Sequence, residues 1–341
     1  MKDLLVVGGG PAGLATALYA ARAGLQVTVW EKRGGPIDKA CGEGLMPGAV
    51  AALAGLGVDP EGADLLGIRY LAGDRSATAP FRHGPGRGVR RTTLHAAMGE
   101  AVLAAGVTVA VRGAHDLRQD ADAVVVDGER FRYLVAADGL HSPVRRMMGL
   151  ERADRGARRY GLRRHYRVES WTSYVEVHWA EPGEAYVTPV SPDLVGVAML
   201  TRGRGSFDEH LALFPSLHAR LGDADAVGEV MGAGPLHQRC RSRVAGRVLL
   251  VGDAGGYVDA LTGEGVALAV AQARAAVAAV ADGLPARYEQ DWHAVTRRYR
   301  LLTGSLLHAT RLKPVRRSLV PVAQRLPSVF GSAVNALARP A

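Results

Sequence analysis

The sequence predicts an α/β fold in which a parallel sheet with helices is interrupted by an inserted, mostly antiparallel β-sheet domain and followed by C-terminal helices. Three observations support this arrangement. The first 31 residues follow the pattern strand, helix, strand, and so short a unit places its two strands in parallel. Residues 156–200 are rich in β-branched and aromatic side chains between Pro, Gly and Asp turns. Helical patterns with Arg and Leu dominate the last 56 residues.

The opening unit begins with an apolar strand, Leu4–Val7, and continues into an Ala-rich helix that starts at Pro11 and ends near Ala23. Gly24 follows in the position that closes a helix, and Gln26–Glu31 forms the second strand. The turn before the helix satisfies G-x-G-x-x-G and reads Gly8-Gly9-Gly10-Pro11-Ala12-Gly13.

Each glycine of this fingerprint has a physical role. Gly8 allows the tight turn, Gly10 lets a pyrophosphate approach the backbone, and Gly13 lets helix and strand pack closely. The helix N-terminus offers free N–H groups to phosphates, and Glu31 can accept hydrogen bonds from an adenosine ribose. The context predicts a Rossmann-type dinucleotide site but leaves open whether NAD or FAD binds. The predicted contact residues are Gly8, Gly10, Pro11, Ala12, Gly13, Glu31 and Lys32.

The elements after this unit alternate between extended and helical patterns. Residues 33–48 form a Gly- and Pro-rich loop, residues 64–90 predict short strands, and Phe207–Leu221 predicts one amphipathic helix. The other predicted elements are a helix at Arg91–Ala105, strands at Val107–Val111 and Arg247–Gly252, a hairpin and strand at Val124–Ala137, and a helix at Gly263–Ala281. The prolines expected to break the helical tail are Pro314, Pro321 and Pro327.

A chain of 341 residues is long enough for two domains. Because α/β segments lie at both ends of a β-rich middle, the nucleotide domain is predicted to be discontinuous. The predicted boundaries are 1–65, 86–155 and 241–285 for the nucleotide domain, 66–85 and 156–240 for an inserted substrate-binding β-sheet domain, and 286–341 for a C-terminal helical segment.

The composition is that of a globular protein, with 48% apolar and 22% charged residues. Two cysteines, Cys41 and Cys240, supply neither a disulfide framework nor a zinc site, and the histidines have no metal-ligand spacing, so no metal is expected. No apolar run reaches the ~18 residues of a membrane span. An early acid and three glycines argue against a secretory signal. The expected location is cytoplasmic.

The net charge of +9 is concentrated in the tail, because residues 286–341 contribute +8 and the first 285 residues only about +1. A basic tail can meet nucleic acid, an anionic membrane or a partner protein. No nucleic-acid-binding motif accompanies the charge, so no nucleic-acid partner is expected. The tail is interpreted as a solvated helical face, as a lid over a greasy substrate, or as a peripheral contact with a membrane surface.

Two further motifs follow the glycine turn in the chain. Leu134–Gly139 is followed by Ser142, Val144 and Arg145, and Val248–Leu261 is followed by Thr262-Gly263-Glu264-Gly265. Together with an Arg-x-x-Leu at Arg91, these motifs resemble the p-hydroxybenzoate hydroxylase-like flavoprotein superfamily over roughly residues 1–285. The resemblance implies FAD as cofactor and NADH or NADPH as reductant.

The resemblance also implies which residues hold the cofactor. Asp253 would bond the ribityl chain, and Arg91 would reach the phosphates or the ribityl chain. Asp138 and Arg145 would belong to the segment tied to FAD and NAD(P)H binding, or they form only a fixed turn and ion pair. The helix start at Gly263-Glu264-Gly265 would direct its N–H groups to the flavin pyrimidine edge. The implied cofactor-binding residues are Arg91, Asp138, Gly252, Asp253, Gly263, Glu264, Gly265 and Val266.

The superfamily includes aromatic hydroxylases, epoxidases, flavin halogenases and geranylgeranyl reductases. Gly256 and Ala260 stand where hydroxylases typically carry His and Pro, whereas Gly256–Gly265 and Lys39–Gly44 look like the reductase group. Glu184–Pro189 keeps only one aromatic residue and the Pro of the strand that lines the lipid tunnel of the reductases. The halogenase lysine and Trp-x-Trp segment have no fitting counterpart, so chlorination is discounted.

The leading expectation is an NAD(P)H-dependent monooxygenase, of the hydroxylase or epoxidase type, that acts on a lipophilic or aromatic secondary metabolite. The alternative is a geranylgeranyl-reductase-like enzyme that reduces double bonds in a prenyl chain or related lipid. A non-catalytic carrier of lipid or protein on the same fold is a third alternative.

The catalytic residue is left unassigned, with four candidates. Cys41 is expected to line the substrate side of the flavin or to be a filler thiol. Glu43 is a proton relay or bonds the backbone of a tight turn. Tyr186 and His178 lie on the inserted sheet and face either the substrate or the core.

Overall fold

Two large sheets and a set of C-terminal helices make up the structure. The computed structural model describes residues 1–153, 158–181 and 183–339. The strands in these residues are β1 (Lys2–Val7), β2 (Val27–Glu31), β3 (Gly44–Leu45), β4 (Ala63–Leu65), β5 (Gly67–Ala72), β6 (Arg75–Pro80), β7 (Gly86–Gly88), β8 (Thr108–Val111), β9 (Leu117–Gln119), β10 (Val124–Val126), β11 (Glu129–Ala136), β12 (Glu151–Arg152), β13 (Tyr160–Arg167), β14 (Tyr174–Trp179), β15 (Glu184–Ser191), β16 (Leu194–Thr201), β17 (Asp225–Ala233), β18 (Arg239–Cys240), β19 (Val244–Ala245) and β20 (Val248–Leu250). The helices are α1 (Pro11–Arg22), α2 (Pro47–Ala54), α3 (Arg91–Ala104), α4 (Pro143–Met147), α5 (Phe207–Leu211), α6 (Pro215–Leu221), α7 (Gly265–Ala281), α8 (Arg287–Ala309), α9 (Lys313–Arg325) and α10 (Pro327–Ala338).

The first sheet has the strand order β19-β20-β11-β1-β2-β8, and β9 and β10 extend it beside β11. Strands β20, β11, β1, β2 and β8 run parallel to one another, as the opening strand–helix–strand pattern predicts for β1 and β2. Side chains alternate across β1: Leu4 and Val6 pack with the helices α1, α3 and α7, and Leu5 and Val7 pack with Trp30 on the opposite face. The sheet is therefore buried on both faces, as parallel sheets are.

The second sheet has the strand order β17-β13-β16-β15-β14-β5-β6, and only the β14–β5 pair within it is parallel. Its strands come from residues 67–80 and 160–233. Helices α5 and α6 cover one face, where Phe207 and Leu217 pack against Tyr166 and Val197. The opposite face looks toward the first sheet. The predicted fold class, an α/β fold with an inserted, mostly antiparallel sheet, is confirmed.

The C-terminal helices connect both parts of the molecule. Helix α8 packs along α7, and the hydroxyl of Tyr288 donates to the Leu250 carbonyl at 3.0 Å. Helices α9 and α10 cover β6, where Asn335 Nδ2 donates to the Pro80 carbonyl at 2.9 Å and its Oδ1 accepts from the Arg82 amide at 2.8 Å. Within the described residues, none of the helices has the length and apolar character needed to cross a bilayer.

Three sequence predictions need correction. The predicted helix Phe207–Leu221 is two helices, because Pro215 lacks an amide hydrogen to continue α5 and instead begins α6. Pro314 and Pro327 begin helices, but Pro321 lies inside α9 without ending it, since the residues beside it pack against β6. Helix α2 follows directly after the Gly-rich loop and has no counterpart in the prediction.

Candidate functional site

A cavity of about 740 Å³ extends from the carboxyl edge of the parallel sheet to the second sheet and α10. Gly8, Glu31, Asp138 and Gly252 follow or end β1, β2, β11 and β20 at this edge, and all four line the cavity. Ligands of parallel α/β sheets bind at this position. The apolar part of the wall contains Ile68, Tyr70, Val175, Val177, Ala198, Leu200, Leu236, Leu261, Val334 and Leu337.

The glycine turn between β1 and α1 forms a cradle at one end of the cavity. Gly8 has φ 109°, and a Cβ there would overlap the Ala137 carbonyl. Gly13 lies beneath the turn, where a Cβ would overlap the carbonyl of Gly8. At Gly10 the nearest atom to a Cβ would be an Arg91 nitrogen at 3.7 Å, so its backbone faces open space. The start of α1 has no side-chain cap and no acidic residue, so its free amides can receive an anion.

Glu31 closes this cradle on one side. Its Oε2 accepts from the Gly9 amide at 2.7 Å, and its Oε1 accepts from the amide and Nε of Arg33, both at 3.1 Å. Although burial opposes ionisation, these donors lower the pKa of Glu31 below its ordinary value. The carboxylate is therefore ionised and lines the cavity beside Lys32.

Arg91 supplies a cation beside the same cradle. It is the first residue of α3, is 8% exposed, and lines the cavity. No carboxylate of the described residues lies within 4.0 Å of its guanidinium, and burial lowers its pKa. Asp138 also lines the cavity, and its Oδ1 has no hydrogen-bond partner among the described residues, whereas Oδ2 accepts from the Val144 amide. Burial raises the pKa of Asp138. A buried unpaired cation and an orphaned acceptor beside an open glycine backbone fit a bound dinucleotide.

Loop 38–44 passes from this cradle to the second sheet, and side chains of that sheet hold it there. Thr188 Oγ1 donates to the Gly42 carbonyl at 2.8 Å, and the Arg163 guanidinium donates to the Asp38 carboxylate. Both anchoring side chains come from the second sheet, from β15 and β13. The sheet therefore fixes a loop that belongs to the cofactor end of the cavity.

Two side chains of this loop face the cavity. The Nζ of Lys39 lies 3.9 Å from the Oδ2 of Asp253, and both residues line the wall. Cys41 lines it as well, and desolvation by the surrounding wall raises the pKa of its thiol. The thiol therefore keeps its proton at neutral pH.

Glu43 connects the second sheet to the start of α3 through a buried network. Its Oε2 lies 2.6 Å from His165 Nε2, its Oε1 accepts from the Arg91 amide at 2.9 Å, and Arg163 Nη1 lies 3.0 Å from His165 Nδ1. Since a guanidinium only donates, Nδ1 accepts and the imidazole proton sits on Nε2, where it is donated to Glu43. Glu43 has φ 58°, and a Cβ on Gly196 would lie 2.8 Å from its Oε2. Glu43 therefore bonds the start of α3 and not the backbone of its own turn.

Tyrosine side chains line the cavity, and one of them was a candidate from the sequence. Tyr186 lines the cavity and donates its hydroxyl to the Leu261 carbonyl at 3.1 Å. Tyr257 also lines it, while its backbone exchanges two hydrogen bonds with Gln238. Desolvation raises the pKa of the Tyr257 phenol well above its ordinary value. Tyr257 is a cavity residue that the sequence analysis did not single out.

The structure does not place His178 at the cavity. On β14 the alternate residues Val175 and Val177 line the wall, and His178 belongs to the other face. Its Nε2 lies 3.4 Å from Glu176 Oε2. Of the two alternatives for His178, substrate or core, the strand register favours the core, because it turns the side chain away from the cavity.

The start of α7 lies at the cavity, but the Glu264 side chain does not. Gly263, Gly265 and Val266 line the wall, and α7 begins at Gly265 without a side-chain cap. Glu264 is 6% exposed and turns toward the Thr262 hydroxyl at 3.4 Å. Burial raises the pKa of Glu264 to about 7. The contact of the Gly263-Glu264-Gly265 backbone with the cofactor stays a prediction, in which the Glu264 side chain takes no part.

One cavity is surrounded by the glycine cradle, the buried cation Arg91 and the free start of α7. Comparison with known families agrees with a dinucleotide site there. The profile of a family described as an FAD binding domain matches residues 1–290. The chain belongs to this family. The protein is an FAD-dependent oxidoreductase, and the prediction of FAD as cofactor is confirmed. NADH or NADPH as reductant stays a prediction.

Curated relatives of this FAD-binding family member include reductases. The menaquinone reductase of Mycobacterium tuberculosis (strain ATCC 25618 / H37Rv) is 32% identical over 300 residues, which are 77% of this chain and 72% of the relative. The digeranylgeranylglycerophospholipid reductase 1 of Methanothermobacter thermautotrophicus is 29% identical over 294 residues, 77% of this chain and 73% of the relative. The chain is thus similar to enzymes named as reductases of menaquinone and of digeranylgeranylglycerophospholipid.

Solved structures with the same fold include flavin halogenases. The flavin-dependent brominase Bmp2 superposes with a TM-score of 0.82 at 18% identity, covering 99% of this chain and 93% of that one. The flavin-dependent halogenase CmlS gives a TM-score of 0.76 at 23% identity over 88% of this chain and 63% of that one. At these identities the likeness concerns the fold alone.

Proposed function

We propose that this FAD-dependent oxidoreductase reduces a carbon–carbon double bond in the prenyl chain of a lipophilic molecule, with NADH or NADPH as electron source. The observation that carries the proposal is the division of the cavity. Its charged residues lie at the cofactor end, whereas every described residue that the second sheet and α10 contribute to the wall is uncharged. Such a wall favours a hydrocarbon chain over a polar substrate. The similarity to menaquinone and digeranylgeranylglycerophospholipid reductases supports the same substrate class.

The proposed chemistry divides between cofactor and protein. FAD, when bound and reduced by NADH or NADPH, would supply a hydride to one carbon of the double bond. The other carbon takes a proton, so the π bond is replaced by two C–H bonds. The Cys41 thiol and the Tyr257 phenol line the cavity, and desolvation keeps both protonated at neutral pH. They are the candidate proton donors, and solvent restores the proton after turnover.

Monooxygenation of a lipophilic or aromatic secondary metabolite is the second candidate. One relative, the rifampicin monooxygenase of Streptomyces venezuelae, is 31% identical over 166 residues, 44% of this chain. Three tyrosines on the wall, Tyr70, Tyr186 and Tyr257, offer aromatic surface to an aromatic substrate. A wall with few polar groups also excludes the water that would compete with oxygen transfer.

Product mass distinguishes the two functions. The FAD-loaded protein is incubated with a prenylated quinone and NADPH or NADH, once without oxygen and once in air. Reduction of the prenyl chain yields, without oxygen, a product that stays heavier by two hydrogen atoms after its quinone ring has been reoxidised, whereas monooxygenation needs air and adds one oxygen atom. A fully flavin-loaded protein that produces neither compound from prenylated quinones or prenyl lipids contradicts the proposal.

Two variants test the proton donor in the same assay. Cys41→Ser replaces the thiol by a much weaker acid and Tyr257→Phe removes the phenol proton, and the true donor's loss slows turnover about 100-fold or more. Cys240→Ser is the matched control, since Cys240 is buried, bonds the Ala254 carbonyl at 3.3 Å, and does not line the cavity. Equal rates for all three variants would assign the proton to solvent.

A further inference from the structure

The C-terminal helices expose an unusual share of apolar side chains. Six of the fourteen exposed large hydrophobic residues in the described part of the chain lie beyond residue 300. Three of them gather where α9 ends and α10 begins: Val322, Leu326 and Val329, which are 47%, 50% and 62% exposed. We call these three residues the apolar corner. All three lie within eight consecutive residues, at the junction of the two helices.

The surroundings of the apolar corner are basic. Residues 313–338, which span α9 and α10, contain four Lys or Arg and no Asp or Glu. Near the start of α9, Lys313 and Arg317 each form an ion pair with Glu181, at 3.7 and 3.6 Å. Arg325 stands one residue before Leu326, is exposed, and forms no ion pair within the described residues. Exposed Leu and Val beside uncompensated Arg complement an anionic lipid surface.

Helix α10 joins this surface to the cavity. It starts beside the apolar corner, and its later residues Val334 and Leu337 line the cavity wall. Asn335 fixes the same helix to residues 80–82 by two hydrogen bonds, one through each polar atom of its side chain. At 1.5 Å per residue, Val329 lies about 12 Å along the helix from Leu337. A surface that meets the apolar corner therefore comes close to the apolar end of the cavity.

We propose that the apolar corner docks on an anionic bilayer and that α10 then faces the lipid from which a lipophilic substrate enters. The docking rests on the exposed side chains and the charge of α9 and α10. Only the entry of the substrate rests on the proposed function. The corner contains no acidic residue and no Trp or Tyr, so a lipid surface fits it better than an interface built from ion pairs and aromatic anchors.

Sedimentation with vesicles tests the docking. The full FAD-loaded protein is mixed with vesicles of phosphatidylcholine and phosphatidylglycerol in equal parts, and with phosphatidylcholine alone. We expect binding to the mixed vesicles and at least about tenfold weaker binding to the neutral ones. The double substitution Val322→Asp with Leu326→Asp is expected to weaken binding to mixed vesicles by at least about tenfold.

The matched control is Leu103→Asp, which places the same charge at a 64% exposed leucine on α3, outside the C-terminal helices. It is expected to bind as the parent does. Retained flavin absorbance and an unchanged thermal transition show that each variant is folded.

Absence of vesicle binding by the parent, or equal binding by parent and double variant, overturns the proposal. A parent dimer that the double variant dissociates, without vesicle binding, assigns the corner to self-association and also overturns it. These outcomes do not depend on turnover, so they are distinct from failure of the proposed reaction.

Discussion

At the scale of single residues, Arg91 shows how the fold prepares an anion site. A guanidinium buried without a carboxylate partner is costly, and an ordered diphosphate beside it offsets that cost. We expect Arg91→Met to weaken FAD binding about 10- to 100-fold, as loss of a charge-assisted contact does. Quenching of flavin fluorescence on titration of the apoprotein measures this. Arg132→Met, which removes a surface partner of Asp3, is expected to leave the affinity unchanged. Equal affinities for both variants would exclude Arg91 from the phosphate site.

His165 is the second residue whose removal has a defined consequence. It is 1% exposed and donates to the carboxylate of Glu43, which also accepts from the amide at the start of α3. His165→Ala leaves Glu43 without its shortest hydrogen bond, so we expect the free energy of unfolding to fall by about 2–4 kcal/mol. Urea unfolding followed by tryptophan fluorescence measures the change. His218→Ala, at an exposed position of α6, should change stability by less than about 0.5 kcal/mol. A similar small change at His165 would show that water replaces the imidazole.

Residue-level prediction from the sequence succeeded where the chemistry is local. The glycine turn and Glu31 are close in the chain, and the structure brings them together at the cavity edge. The partners Glu43 and His165 are 122 residues apart, so no local pattern links them. His178 carries the right chemistry on the wrong face, because a strand pattern does not show which of its two sides meets the cavity.

At the scale of elements, the start of α7 couples protonation to stability. The folded-state pKa of Glu264 is about 7 against an ordinary 4.5, so the folded state holds its proton more tightly than the unfolded state. The stability this contributes is complete below about pH 4.5 and is lost as pH rises through about 7. We expect the free energy of unfolding of Glu264→Gln, measured relative to that of the parent, to rise by up to about 3 kcal/mol between about pH 5 and about pH 8. Urea unfolding at the two pH values measures it. With Glu100→Gln, at an exposed position of α3, the difference from the parent should not depend on pH.

Element boundaries were predictable where the sequence marks them with proline or glycine at a suitable position. Gly24 follows α1 with φ 74°, and Pro327 opens α10. Pro321 shows the limit of such rules, because the neighbouring Val320 is buried with Val177 and Trp179 of β14 and keeps α9 helical despite one missing amide hydrogen. Burial by a distant strand is not visible in a local pattern.

At the scale of the whole molecule, α10 acts as a wall between the cavity and the exterior. Asn335 fixes it through two backbone groups of residues 80–82, so Asn335→Ala is expected to lower the free energy of unfolding by about 1–3 kcal/mol. A loosened wall admits solvent, so iodide should quench the fluorescence of bound flavin more strongly. Stern–Volmer titration of the FAD-loaded protein measures this. Ser332→Ala, at an exposed position of the same helix, is the control. Unchanged quenching would place the solvent barrier elsewhere.

The strand order of both sheets has a consequence for how the chain folds. Leu5 on the central strand lies beside Leu134, and Ile68 lies beside Val175, so each sheet joins segments that are far apart in the chain. Such non-local pairing makes folding slow and leaves strand edges open while the chain is still being synthesised. Strand β20, which completes the parallel set, is synthesised only after the whole second sheet. A ribosome-bound chain shorter than about 250 residues therefore lacks a finished first sheet, although every strand of the second sheet has already been synthesised.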